Sequence, residues 1–521
     1  MKGKKILSAF IALVLIAGMP VTAFAADWYI DQGDITITAD ENGQNVSQGG
    51  GEAIADSDPV ISGTSDSNTI TIIADAGATA NVTLDGVNID VSNTGATGVP
   101  GKAGISTKGD GNVTIELEGD NTVKSGNFRA GVEKNNGGNL TIKDDSGKDG
   151  SLAATGGEYG AGIGGSDSKD GNNITISGGT INATGGIHGA GIGGGNGGNG
   201  NNITISGGTV NATGNNGAGI GGGESSSGVG GNGSNITISG GNVTASSGGW
   251  YGAGIGGGSG GNGSDITISD GTVDSTGGKY AAGIGGGQEG NGSNIEISGG
   301  NITAVGGESA AGIGGGIEGS GSKITVSGDA NVKVKGGDKW YNNGTGAAIG
   351  DGGTQAENYD PIPGDEIPPD TSKLTEKGKI EYYDPKSEIG KDKPRDTTIG
   401  SYVPPEPEQP EQPAKATDKA APALGESAPL YRVTDKDGKD LTYKYEKANG
   451  VLTVTVEADY AVLTGSLSGI NTLSQQGIEE LVFVTNGASS TYKLADLLDM
   501  GSLSDSYALT HDGKTAALDI L

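Results

Sequence analysis

Cysteine is absent from the 521 residues. That excludes disulfides, Cys-zinc sites, thiol catalysis and a lipidated Cys. Histidine occurs only as His188 and His511, and arginine only as Arg129, Arg395 and Arg432. Aromatic residues make up 4% and hydrophobic residues 32%, which argues against a large conventional globular core. Positive charge is scarce: 32 Lys and Arg stand against 63 Asp and Glu, a net charge of −31. Such acidity disfavours nucleic acid and anionic membranes as partners. After the first 25 residues no stretch is long and apolar enough to span a bilayer.

Glycine is what the chain has in excess, at 106 residues, far above the usual share of roughly 7%. The glycines recur with a period, and that decides against disorder. The clearest copy reads Ile174-Thr175-Ile176-Ser177-Gly178-Gly179-Thr180-Ile181-Asn182-Ala183-Thr184, followed by a Gly-Ala-Gly-Ile-Gly-Gly-Gly element at Gly189–Gly195. The first Ile recurs at Ile203, Ile236, Ile266, Ile295 and Ile324, at intervals of 29, 33, 30, 29 and 29. The Ile of the Gly element recurs independently at Ile163, Ile192, Ile220, Ile255, Ile284, Ile313 and Ile349. Weaker copies start at Val82, Val113 and Leu140. Two phase-locked series identify a repeat architecture.

Within a copy the alternation has period two. Ile174 and Ile176 face one way and Thr175 the other; Ile181 and Ala183 share a face opposite Asn182 and Thr184. That is strand patterning, and Gly-Gly supplies the corner. Three short strands in about 29 residues make one coil of a β-solenoid, whose Ile face is buried only when coils stack. Glycine at this density rules out helical solenoids. Thr175, Thr204, Thr237, Thr267 and Thr325 are expected as an outward ladder interrupted by Glu296.

The ends differ. Lys2, Lys4 and Lys5 precede an apolar run from Ile6 to Met19, and Ala23-Phe24-Ala25 is a cleavage signature. Residues 1–25 read as a secretory signal peptide, so the protein is expected outside the cell, secreted or loosely held at its surface. Residues 26–80 read as an N-terminal cap and first coils, and 81–352 as the repeats. Residues 353–428 read as a Pro/Glu-rich linker, since 13 of the 16 Pro lie between Pro361 and Pro429. From 429 to 521 Leu returns, and a hairpin around Asn449-Gly450 with short helices at 470–476 and 492–498 makes a small α+β domain.

The recurring Gly-Ala-Gly-Ile-Gly-Gly-Gly with Ile-Thr-Ile-Ser-Gly-Gly resembles secreted Gram-positive right-handed parallel β-helix proteins with a carbohydrate-binding role. The resemblance covers residues 27–352. It implies an all-β, right-handed parallel β-helix, and acidic polysaccharide such as polygalacturonate, with calcium, as ligands. Fold alone does not settle function, because β-helices also host lyases and hydrolases.

The residues offer little catalytic chemistry. An arginine-based lyase would have only Arg129 in the repeats, and Asp144-Asp145 reads as a turn. The Gly elements are not phosphate loops, because no helix follows them. One feature stands out. Four residues before each Gly-element Ile come Tyr159, His188, Asn216, Tyr251, Tyr280 and Ser309; Trp250 adjoins Tyr251, and Trp340 and Tyr341 precede the last element. Aromatic faces stack on sugar C–H faces, so Tyr159, His188, Trp250, Tyr251, Tyr280, Trp340 and Tyr341 are the candidate carbohydrate contacts; local packing at the coil corner is the competing reading. Calcium would fall to Asp167, Asp170, Asp265 and Asp270. The expected function is non-catalytic binding of extracellular polysaccharide. The alternatives are a structural or adhesive spacer and a divergent polysaccharide lyase.

Overall fold

The computed structural model describes residues 27–356, 359–401 and most of 431–520. The signal segment and the Pro-rich stretch Pro404–Pro413 lie outside the described residues. Two compact units divide at Pro407.

The first unit is a parallel β-solenoid. In a typical coil the strands are Ile174–Ile176, Thr180–Thr184 and Ile192–Gly193. Each pairs in register with the same strand of the next coil: Ile174 with Ile203, Ile181 with Val210, Ile192 with Ile220. The third strands form one sheet of eleven parallel rungs, from Ile35–Asp40 to Ile349–Gly350. First and second strands share the other sheet, merging into single long strands at Gly233–Ser247 and Gly263–Thr276. The period-two alternation fixes the register, since a one-residue slip would turn every Ile outward. Columns of Ile, Val and Ala fill the lumen, nearly all without solvent exposure. That is how 32% hydrophobic residues suffice: each coil is covered by its neighbours.

The threonine ladder runs as expected, with Glu296 between Thr267 and Thr325. Val82 needs correction as an anchor. Val113 pairs with Ala80, and Val82 pairs with Ile115. The displacement is two residues, which keeps the inward face and so left the alternation unaltered.

Both ends are closed. At the start, Ile35–Asp40 pairs antiparallel with Gly43–Gln48, and that strand with Ile54–Ala55, so the last rung presents no free parallel edge. Beneath it the buried Trp28 indole N–H donates to Asp56 Oδ2 at 2.8 Å. At the other end, part of the stretch expected as linker is structured. Lys379–Tyr383 pairs parallel with Asn331–Lys335, placing Ile380 beside Val332, and Asp396–Ile399 follows antiparallel. Leu374 and Ile380 are fully buried. The coil geometry persists there without a Gly element, which is why composition concealed it.

The second unit has two four-stranded sheets and helices at Leu467–Gln475 and Leu494–Leu498. The hairpin Tyr443–Ala448/Val451–Val456 forms; Asn449 lies outside the described residues. Tyr492 belongs to the strand Ser489–Lys493 rather than to the following helix.

Candidate functional site

The corner between second and third strands is built from glycine because the coils touch there through their backbones. A Cβ on Gly189 would meet Gly160 O at 2.0 Å. Side chains larger than alanine are admitted at few positions of this corner, and the position four before each third-strand Ile is one of them. The loop after the third strand lies alongside it: Asp167 N donates to Phe128 O, Asn196 N to Tyr159 O, Glu224 N to His188 O and Gln288 N to Tyr251 O, all at 2.8–2.9 Å. The aromatic row therefore runs next to a row of Asp, Asn, Glu and Gln.

The row divides into two groups. In the first, Phe128 and Tyr159 stack with centroids 4.7 Å apart, and Tyr159 and His188 at 4.9 Å, with ring planes nearly parallel. These spacings match the distance between coils, so each ring covers its neighbour's face. His188 Nδ1 bonds to the buried carboxylate of Glu224. Tyr159 and His188 thus present edges outward, and their contacts stabilise the corner by about 0.5–1.5 kcal/mol per pair.

The second group contains Trp250, Tyr251, Tyr280, Trp340 and Tyr341. Trp250 meets Tyr280 edge to face at 5.9 Å, and Tyr280 lies tilted against Trp340 at 4.7 Å. Tyr280 is buried beneath this group, whereas Trp250 is 52% exposed, Trp340 38% and Tyr341 80%. Asn216 and Ser309 serve as backbone anchors, accepting from Trp250 N at 3.2 Å and Trp340 N at 2.8 Å. Lys279 holds its ammonium 5.0 Å from the Trp250 ring and 5.2 Å from Tyr280, with Glu308 3.8 Å away. The Tyr280 hydroxyl, and then the Glu308 charge, keep this amine above the usual lysine range. At the end of the row, Trp340, Tyr341, Tyr359, Glu318, Asn343 and Gln355 surround an open pocket of about 590 Å³.

Phe128, Lys279, Tyr359 and the polar residues Glu308, Glu318, Asn343 and Gln355 are not among the residues the sequence pointed to. Phe128 stands four before Val132, so the same offset would have found it. Lys279 adjoins Tyr280. Tyr359 lies beyond the repeats, where only folding brings it to Trp340.

The four aspartates are dispersed. Asp167 Oδ1 accepts from the Asn196 amide at 2.8 Å. Asp170 starts a ladder in which side-chain oxygens of Asp170, Asn199, Asn232, Asn262 and Asn291 each accept the backbone N–H one coil further on, at 2.8 Å every time. Asp265 sits in a column with Asn173, Asn202, Asn235 and Asn294, all with left-handed backbone near φ +55; side-chain bonds link Asn173, Asn202 and Asn235, and Asp265 accepts from the Asn294 amide. Asp270 bonds Gly271 N in its own turn. Among the described residues no three His, Asp or Glu side chains form a metal cluster.

The family model for the β-helix repeat matches the chain five times, at residues 174–196, 203–224, 236–259, 266–288 and 295–317. This is a parallel β-helix protein. No curated protein and no solved structure matches it. The five matched stretches contain His188, Trp250, Tyr251 and Tyr280, while Tyr159, Trp340 and Tyr341 lie outside them. The aromatic corner of this β-helix protein thus straddles the matched coils and both flanks.

Proposed function

We propose that this β-helix protein is exported and binds extracellular polysaccharide without turning it over. The contact surface is the corner bearing Trp250, Tyr251, Trp340 and Tyr341. One observation carries the reading: a chain with 4% aromatic residues holds two half-exposed tryptophans and an exposed tyrosine on one edge of its solenoid. Sugar rings stack on such faces, and the flanking Asn and Gln side chains suit hydroxyls. Tyr280 supports this platform from within, and Tyr159 and His188 form the separate stack further along the corner.

Arg129 favours binding over lyase chemistry. Its guanidinium is engaged by Glu133 at 3.2 Å and by Gly101 O at 3.1 Å. Calcium is not needed for this reading, because three of the four aspartates are bonded to asparagines of neighbouring coils and the fourth to its own turn.

The test is a glycan array with the purified protein and the Trp250→Ala/Tyr341→Ala double variant, each with and without chelator. Retained circular dichroism with at least about tenfold weaker glycan binding in the variant is expected, and chelator should change nothing. Undiminished binding by the variant would move recognition to the C-terminal unit and leave the solenoid as a spacer.

A further inference from the structure

The aromatic corner contains its own example of how it treats a positive charge. At Trp250 and Tyr280 the cation is internal: Lys279 lies over both rings and Glu308 faces it. The pocket at Trp340, Tyr341 and Tyr359 repeats two parts of that arrangement, aromatic faces and a carboxylate, here Glu318. It lacks the third, since no Lys or Arg lines it among the described residues. Glu318 is held in place by the Asn343 amide, 3.1 Å from Oε1, and Asn343 N in turn donates to Trp340 O at 2.9 Å.

Three backbones around this pocket are left-handed at non-glycine residues: Glu318 at φ +62, Tyr341 at φ +50 and Tyr359 at φ +65. At the position of Glu318 two earlier coils carry glycine, Gly197 and Gly260, with φ +69 in both, and the coil of Ile163 carries Ser168 at φ +58. A side chain there costs roughly 1 kcal/mol of backbone strain, and the last coils place glutamates on it.

Resting on the glycan-binding reading above, we propose that the pocket of Trp340, Tyr341, Tyr359 and Glu318 binds the protonated amine of an amino sugar within an extracellular polysaccharide. The rings supply cation–π attraction and a stacking face. Glu318, held by Asn343, supplies the counter-charge, and the exposed Gln355 reaches hydroxyls. A fully acidic polymer would meet Glu318 and a net charge of −31 with nothing in this pocket to offset either. A bare quaternary ammonium would leave the Gln355 amide unused.

The experiment is calorimetry on the whole protein with a short glucosamine oligomer and the N-acetylated oligomer of equal length. It is run at roughly 0.15 M salt, where the screening length is about 8 Å and diffuse attraction to an acidic protein is weak. The variants are Glu318→Gln and Tyr341→Ala, with Glu296→Gln on the outer face as the charge control. The free-amine oligomer should bind about tenfold or more tighter than the acetylated one. Glu318→Gln should abolish that preference and Glu296→Gln preserve it. Equal binding of both oligomers overturns the amine assignment and leaves glycan binding standing. A preference that survives Glu318→Gln overturns the pocket as its source. Choline binding without oligomer binding overturns the amino-sugar source. Silence towards both oligomers overturns the proposal, and silence across the glycan array as well overturns the wider reading.

Discussion

Replacing Gly256 by Ala tests the account of the stack most sharply. Gly256 follows the third-strand Ile255 with φ +136. Its equivalents Gly164, Gly193, Gly221, Gly285, Gly314 and Gly350 all lie between φ +131 and +137. A Cβ at Gly256 would stand 2.0 Å from Gly285 O, against a floor of about 3.0 Å for real Cβ contacts. Relief requires the two coils to part locally by about 1 Å. The adjoining hydrogen bonds Gly254 N to Ala282 O, Ile255 N to Gly283 O and Gly257 N to Gly285 O, at 3.0–3.2 Å, would then be lost. Three bonds at about 1 kcal/mol each, with about 1–3 kcal/mol for the disfavoured backbone, give a cost of roughly 4 kcal/mol or more. Gly197→Ala is the control. Its φ is also positive, at +69, but the nearest atom to its Cβ is Ser225 Oγ at 3.8 Å, so only about 1 kcal/mol is expected. Urea denaturation followed by circular dichroism reads the difference. Equal losses for the two variants would refute the reasoning, because they would show that backbone angle rather than coil-to-coil contact sets the cost.

Two further predictions concern pH. His511 is fully buried against Phe483, with Thr485 Oγ1 at 3.1 Å and Ser490 Oγ at 2.6 Å on its two ring nitrogens. Burial lowers its pKa, so below about 6.5 the unfolded chain binds more protons than the folded one. The C-terminal unit should lose stability as pH falls through that range, and His511→Phe should flatten the profile in acid titrations followed by Tyr fluorescence; an unchanged acid limb would count against it. Lys134 occupies a lumen column beside Thr107, and burial pushes its amine down to about 8. Solenoid stability should therefore rise between about pH 8 and 10.4 as the folded amine gives up its proton first. Lys134→Met should remove that rise in denaturation midpoints, and a rise that persists in the variant would assign it elsewhere.

The repeat, its three strands and its inward Ile columns were legible because they are local and periodic: a side chain's face follows from parity, and a coil's length from the interval to the next identical Ile. Parity also explains the misplaced Val82, since a two-residue displacement preserves the face and leaves no trace in the pattern. The aromatic row was visible for a similar reason, as one offset from a repeated Ile. What each ring does was not visible. Tyr159 and Tyr251 occupy the same repeat position, yet Tyr159 has its faces covered by Phe128 and His188, while Tyr251 lies in the tilted group beside the exposed Trp250. The aspartates show the same limit, for Asp170 and Asp265 look like free carboxylates in one dimension and are rungs of asparagine ladders in three.

By itself the sequence determined the architecture, because hydrophobic periodicity and glycine placement act over a few residues at a time. Only the tertiary structure decided where the stack ends and which rings the corner exposes. Ile380 continues the core without a glycine motif, and Tyr359 reaches Trp340 and Glu318 from beyond the repeats. Both depend on contacts between residues far apart in the chain, which no local pattern encodes.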